Sequence, residues 1–175
     1  IGGGIPGDRA YKAVQIGGPS GGCIPTSQLD IDIDYESLKT VGAMMGSGGL
    51  VVMDDGNCMV DVAKFFMDFI QKESCGKCIP CREGTRRMLE ILESLSRSRR
   101  LEQQFEALER FRAVMNLEHL AKVIQDTSLC GLGQSAPNPV LSTLRFFREE
   151  FGARPHSLWL PDVFGYSGAM PQIMK

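Results

Sequence analysis

The chain has 175 residues, 43% of them hydrophobic and 23% charged, with a formal net charge of −2. That balance suits a globular protein, excludes a disordered or collagen-like chain, and gives no whole-chain attraction to nucleic acid or anionic lipid. No apolar run approaches the roughly 18–20 residues of a membrane span.

The first residues, Ile1-Gly2-Gly3-Gly4, lack the basic-then-apolar pattern of a secretory signal and do not begin with Met, so the chain is expected to be cut from a longer one. Residues 1–56 hold 13 of the 20 glycines. Tyr11 to Ile16 reads as a strand ending at Gly17-Gly18-Pro19, and Leu50 to Met53 as another after Gly48-Gly49. Between them Asp30-Ile31-Asp32-Ile33-Asp34 alternates with period two, as a half-buried strand does. The glycine-dense stretches Gly2 to Gly7 and Gly17 to Gly22 fit neither G-x-G-x-x-G between a strand and a helix nor G-x-x-x-x-G-K-[ST]. They read as turn glycines in a small β-rich module, not as a nucleotide loop.

From residue 57 the period becomes helical. Met59 to Lys72 places Val62, Ala63, Phe65, Phe66, Phe69 and Ile70 on one broad face. Thr85 to Leu95 repeats the pattern with Met88, Leu89, Ile91, Leu92 and Leu95. Leu101 to Val114 and Leu117 to Gln125 read as two further short helices. The last helix is expected to be capped by Asn138, to carry Pro139 at its first position, and to run to about Phe151 before Gly152. Eight arginines and six glutamates between Arg82 and Arg112 suggest a solvated face with local ion pairs.

Six cysteines mark the chemistry. Cys75, Cys78 and Cys81 form a C-x2-C-x2-C run in Ser74-Cys75-Gly76-Lys77-Cys78-Ile79-Pro80-Cys81-Arg82-Glu83-Gly84. Such a run lets one loop offer three thiolates to three iron corners of a cubane, leaving the fourth corner to a distant residue. Cys130, in Leu129-Cys130-Gly131-Leu132-Gly133, is the natural candidate. Lys77 and Arg82 would offset part of the thiolate charge. Spacing leaves three rivals open: a four-cysteine zinc site, a redox pair at Cys78 and Cys81, and ordinary buried thiols. Cys23 and Cys58 are isolated and read as buried, unreactive thiols. His119, His156 and Trp159 read as structural. Clustered cysteines without an export signal suggest a reducing, cytoplasmic setting, with no direct membrane span and no nucleic-acid partner.

Glu73 to Thr85 closely resembles the cluster loop of the NADH-binding flavoprotein subunit of respiratory complex I. It is equally similar to that of the diaphorase subunits of NAD-linked hydrogenases and formate dehydrogenases. Ser128 to Glu150, Lys12 to Pro25 and Gly42 to Asp54 resemble further segments of the same family. The resemblance implies an α+β fold: residues 1–56 as the C-terminal part of a β-grasp module of the soluble-ligand-binding type, 57–151 as an all-α helical bundle holding one [4Fe–4S] cluster, and 152–175 as a tail. It implies Cys75, Cys78, Cys81 and Cys130 as ligands. It further implies electron transfer from NADH through FMN, both bound in a preceding domain, to other iron–sulfur subunits. These residues by themselves are then expected not to oxidise NADH. A structural zinc-binding interaction module is the alternative of a different class.

Overall fold

The computed structural model describes residues 3–100 and 107–152. They form an α+β fold that is mostly helical, with one small sheet.

The sheet has three antiparallel strands, β1 (Tyr11–Ile16), β2 (Gly22–Pro25) and β3 (Leu50–Asp54), in the order β2-β1-β3. Ala13 pairs with Pro25 and Ile16 with Gly22 on one side of β1, and Ile16 pairs with Leu50 on the other. β1 and β3 match the expected strands, whereas β2 begins at Gly22, the last residue of the stretch read as turns, and is unexpected. The turn between β1 and β2 needs glycine. A Cβ on Gly17, whose φ is +79°, would collide with the Met44 carbonyl, and one on Gly21 with that of Ile16. These glycines therefore serve close backbone packing.

The alternating Asp30 to Asp34 segment is not a strand. It is a turn leading into α1 (Tyr35–Thr40), and Asp34 caps that helix by accepting hydrogen bonds from the Glu36 and Ser37 amides at 2.9 and 2.7 Å. The local capping bonds of Asp34 prevail over the period-two pattern. Leu38 and Val41, at the end of α1, with Ala43, cover one face of the sheet at Ile16 and Ile24. The opposite face, at Ala13, Cys23 and Met53, packs against Met59, Val62 and Phe147.

The helices are α2 (Met59–Glu73), α3 (Thr85–Arg100), α4 (Ala107–Thr127), α5 (Gly131–Ser135) and α6 (Asn138–Phe147). Their core joins Ala63 and Met67 of α2, Met88 and Leu92 of α3, Leu117, Ala121 and Ile124 of α4, Val140 and Leu144 of α6, and Phe151 beyond it. The two short helices expected on either side of Met115 are one. Neither Met115 nor Asn116 interrupts α4, and Val114 and Leu117 are both buried in the same core. Residues 101–106, at the start of that expectation, lie outside the described residues. On α2, Phe66 and Ile70 are buried but Phe65 and Phe69 are exposed, so the apolar stripe is wider than the buried one.

Asn138 opens α6 without capping it. Its side chain donates to the Ser20 carbonyl at 2.8 Å and accepts from Gln125 at 2.9 Å. It therefore ties α6 to the sheet turn and to α4. Ser142 adds a second tie by accepting the Cys23 amide at 2.9 Å. Glu150 makes a third, pairing with Lys12 of β1 at 2.7 Å and accepting the Met59 amide at the start of α2 at 3.0 Å. The sheet and the helices thus share charged and hydrogen-bonded contacts as well as apolar ones. Among the described residues, no helix is long and apolar enough to cross a membrane.

Candidate metal centre

The Cys75 to Cys81 loop begins where α2 stops. Ser74 leaves the helix in an extended conformation, and Gly76 turns the chain with a φ of +71°. Arg82 holds the turn closed by donating to the Gly76 carbonyl at 2.6 Å. From Pro80 to Gly84 the backbone forms a π-helical turn that runs directly into α3. Such turns interrupt regular helical hydrogen bonding and are frequent at functional sites. This one carries Cys81 inward, where it is 4% exposed, while Cys75 is exposed and Cys78 half-buried. Thr85 anchors the turn through a 2.6 Å hydrogen bond to the Cys81 carbonyl.

Cys130 comes from the other direction, exposed at the N-terminal edge of α5, just past the end of α4. The two segments meet. The Leu129 amide is the main cause holding the Cys78 thiol below its ordinary pKa, followed by the Cys81 amide, with Ser128 contributing. Burial pushes the Cys81 thiol up, and the charges of Cys78, Cys130 and Cys75 push the same way, with a hydrogen bond from Ser74 opposing. All four sulfurs therefore share one electrostatic neighbourhood. Ser74 Oγ lies 3.3 Å from Cys81 Sγ and also accepts the Gly76 amide at 3.3 Å.

Among the described residues, no three His, Cys, Asp or Glu side chains stand close enough to hold a single metal ion. A tetrahedral zinc with bonds of about 2.3 Å draws its four sulfurs onto one centre. In a cubane each thiolate meets a different iron, so the ligands stand further apart around a larger body. Four soft thiols from two segments are a donor set that suits a thiolate-held metal group of either kind. One buried hydroxyl, that of Ser128, has no hydrogen-bond partner of good geometry.

Four features of the site are not specified residue by residue in the sequence, although glycine-bearing loops there suggest close packing and exposed amides. These are the π-helical turn, the Ser74 and Ser128 hydroxyls, the Leu129 amide, and the packing of Gly133 against Cys81. All depend on how the two segments pack, although each residue lies within a few positions of a cysteine. Ile79 and Leu129, beside the site, are 65% and 84% exposed, giving it an apolar outer rim.

The other cysteines differ. Cys23 is fully buried in the sheet, and burial is the main cause raising its thiol to about 12, with the charge of Glu150 adding and that of Lys12 opposing. Cys58 is half-buried at the start of α2 and packs against the helical core, so it is less enclosed than expected. His119 is exposed on α4, while His156 and Trp159 lie outside the described residues. Arg86 and Arg87 both pair with Glu90 on the exposed face of α3, as the charge pattern suggests.

Residues 61–154 match the family described as the NADH-ubiquinone oxidoreductase-F iron–sulfur binding region. A protein named NADP-reducing hydrogenase subunit HndC, from Solidesulfovibrio fructosivorans, is 50% identical over 153 residues, covering 87% of this chain and 29% of its own length. The F 2 subunit of the NADH-quinone oxidoreductase of Rhizobium meliloti is 40% identical over 152 residues, covering 87% of this chain and 34% of its own. The chain thus spans about a third of the length of these relatives. Among solved structures, an NAD+-reducing [NiFe]-hydrogenase in its H2-reduced state matches with a TM-score of 0.62 at 30% identity, over 83% of this chain and 23% of that one.

Proposed function

This chain belongs to the NADH-ubiquinone oxidoreductase-F iron–sulfur binding region family, and from that premise we propose that Cys75, Cys78, Cys81 and Cys130 ligate one [4Fe–4S] cluster. The observation carrying the ligand set is the meeting of two segments separated by 48 residues, with the Leu129 amide and the Cys130 charge both acting on thiols of the Cys75 to Cys81 loop. When bound, such a cluster takes up and releases one electron at a time.

The rest of the work belongs to the protein. Cys81, buried within the π-helical turn, would hold the group from the side shielded from water, while Cys75 and Cys130 would hold it from the exposed side. Ser74 and the Leu129 amide offer donors to the thiols, while Arg82 is paired with Glu83 and Lys77 is exposed in the loop. A relay of this kind suits a complex that couples a two-electron hydride carrier to one-electron carriers. In this reading NADH and FMN bind in another part of the longer protein, and electrons leave for iron–sulfur centres of neighbouring subunits on the cytoplasmic side of a membrane. Residues 1–56 form the latter part of a β-grasp module, 57–151 the cluster-holding bundle and 152–175 a tail. The sheet covered on one face by α1 supports the first assignment, and the shared helical core the second.

The main reading is a subunit of an NADH:quinone oxidoreductase. A second, the diaphorase subunit of a hydrogenase, is favoured by the greater identity to the hydrogenase relative, 50% against 40%.

Anaerobic purification with iron, sulfide and zinc analysis, and EPR of the dithionite-reduced protein, tests the site. About four irons and four sulfides per chain are expected. Cys130→Ser should lose most of both, together with the reduced-state signal. Stoichiometric zinc without sulfide would overturn the reading, and a Cys130→Ser protein with full iron and an unchanged signal would remove Cys130 from the ligand set.

A further inference from the structure

Ser128 is 6% exposed, and its backbone is fixed at both polar groups. Its amide donates to the Ile124 carbonyl at 3.1 Å, and its carbonyl accepts from Gln134 Nε2 at 3.1 Å. Its hydroxyl is fully buried and has no hydrogen-bond partner of good geometry. An unpaired buried hydroxyl is costly, so its retention calls for an acceptor that the protein itself does not provide. The surroundings identify that acceptor. The space beside Gly133 is bounded by both the Ser128 hydroxyl and the Cys81 side chain, and Ser128 stands two residues before Cys130, so the hydroxyl sits among the proposed ligands.

Ser74 is different. Its oxygen already accepts the Gly76 amide and meets Cys81 Sγ, so it shapes the loop as well as touching sulfur. The Ser128 hydroxyl accepts no amide of the loop, which leaves it able to turn its hydrogen toward sulfur.

Resting on the four-cysteine cluster reading, we propose that Ser128 is a positioning residue whose hydroxyl donates a hydrogen bond to the sulfur envelope of the cluster, and thereby raises the cluster's reduction potential. The sign follows from charge. Reduction adds an electron to a body that is already negative, and a donor aimed at sulfur stabilises the reduced form more than the oxidised one. A serine with a fixed backbone needs little reorganisation when the electron arrives.

The test is an anaerobic redox titration of the cluster's EPR signal in the full protein, comparing Ser128→Ala, Ser128→Thr and the parent, with iron and sulfide measured on each sample. Ser128→Ala is expected to keep its cluster and titrate at a more negative potential, with Ser128→Thr returning toward the parent. A deuteron coupling to the cluster in D2O, seen by ENDOR in the parent, should disappear in Ser128→Ala. A fully loaded Ser128→Ala protein titrating with the parent would overturn the inference. So would loss of the cluster from Ser128→Ala with its helices intact by circular dichroism, because Ser128 would then serve assembly and not potential. A parent without iron and sulfide would instead defeat the cluster reading itself.

Discussion

Replacing Gly133 with alanine, and separately Gly131, divides two glycines that the Cys130-Gly131-Leu132-Gly133 motif makes look alike. An alanine Cβ at Gly133 would stand 2.5 Å from Ser128 Oγ, 2.6 Å from Ser128 Cβ and 3.2 Å from Cys81 Cβ. Rotating the serine hydroxyl relieves only the first contact. Ser128 Cβ is tied to a backbone bonded to Ile124 and Gln134, and Cys81 to a turn anchored by Thr85, so backbone must move. Overpacking of that kind costs about 1–3 kcal/mol. The helix preference of alanine returns up to about 1 kcal/mol, leaving a net loss of up to about 2 kcal/mol, centred near 1. At Gly131 the same Cβ meets nothing within 4 Å, so Gly131→Ala should be neutral or stabilising by about 0.5 kcal/mol. The effect should extend to the metal, since the atoms displaced at Gly133 include the Cβ of a proposed ligand. Urea denaturation and iron content of the two variants, prepared side by side, give the measurement. Gly133→Ala should lose stability and iron together, and Gly131→Ala neither. A Gly133→Ala protein as stable and as fully loaded as the parent, or one outlasting Gly131→Ala, would refute the packing argument.

Two further outcomes follow from the contacts between the sheet and the helices. Lys12 and Glu150 are each 19% exposed and 2.7 Å apart, so Glu150→Gln, which preserves an acceptor for the Met59 amide but leaves Lys12 without its counter-charge, should cost about 2 kcal/mol. At roughly 2–4 °C per kcal/mol the melting temperature should fall by about 4–8 °C; a loss under about 0.5 kcal/mol would make the pair dispensable. Cys23 supplies the pH dependence: its thiol, raised by burial to about 12 from an ordinary 9, stays neutral in the fold while the unfolded chain ionises near 9. The stability it contributes is complete below pH 9 and lost as pH rises toward 12, because the folded state then holds the proton that the unfolded state has released. Comparing the parent with Cys23→Ala at pH 8 and pH 10.5, the parent's stability should fall more; equal losses would place the alkaline sensitivity elsewhere.

Spacing and period determined much of this protein by themselves. C-x2-C-x2-C followed by a distant cysteine is a local pattern with few chemical uses, and the strand from Tyr11 to Ile16 and the helix from Met59 follow from apolar periodicity over consecutive residues. What failed in the sequence failed for lack of a local signal. Asp30 to Asp34 alternates like a strand, yet three capping bonds from Glu36 and Ser37 to the Asp34 carboxylate commit the chain to a helix. β2 has no periodicity of its own, being four residues that become a strand by pairing with β1. Asn138 has the composition of a cap but directs its amide across the interface to Ser20 and Gln125.

At the metal centre the division is sharper. The four cysteines stand as the proposed ligands on spacing and resemblance, because a ligand's identity is chemical. Which glycine is indispensable, which hydroxyl is buried without a partner, and which thiol is enclosed depend on α4 delivering Ser128, Leu129 and α5 onto the turn that carries Cys81. Those are contacts between segments far apart in the chain, and distances of that kind exist only once the helices have packed.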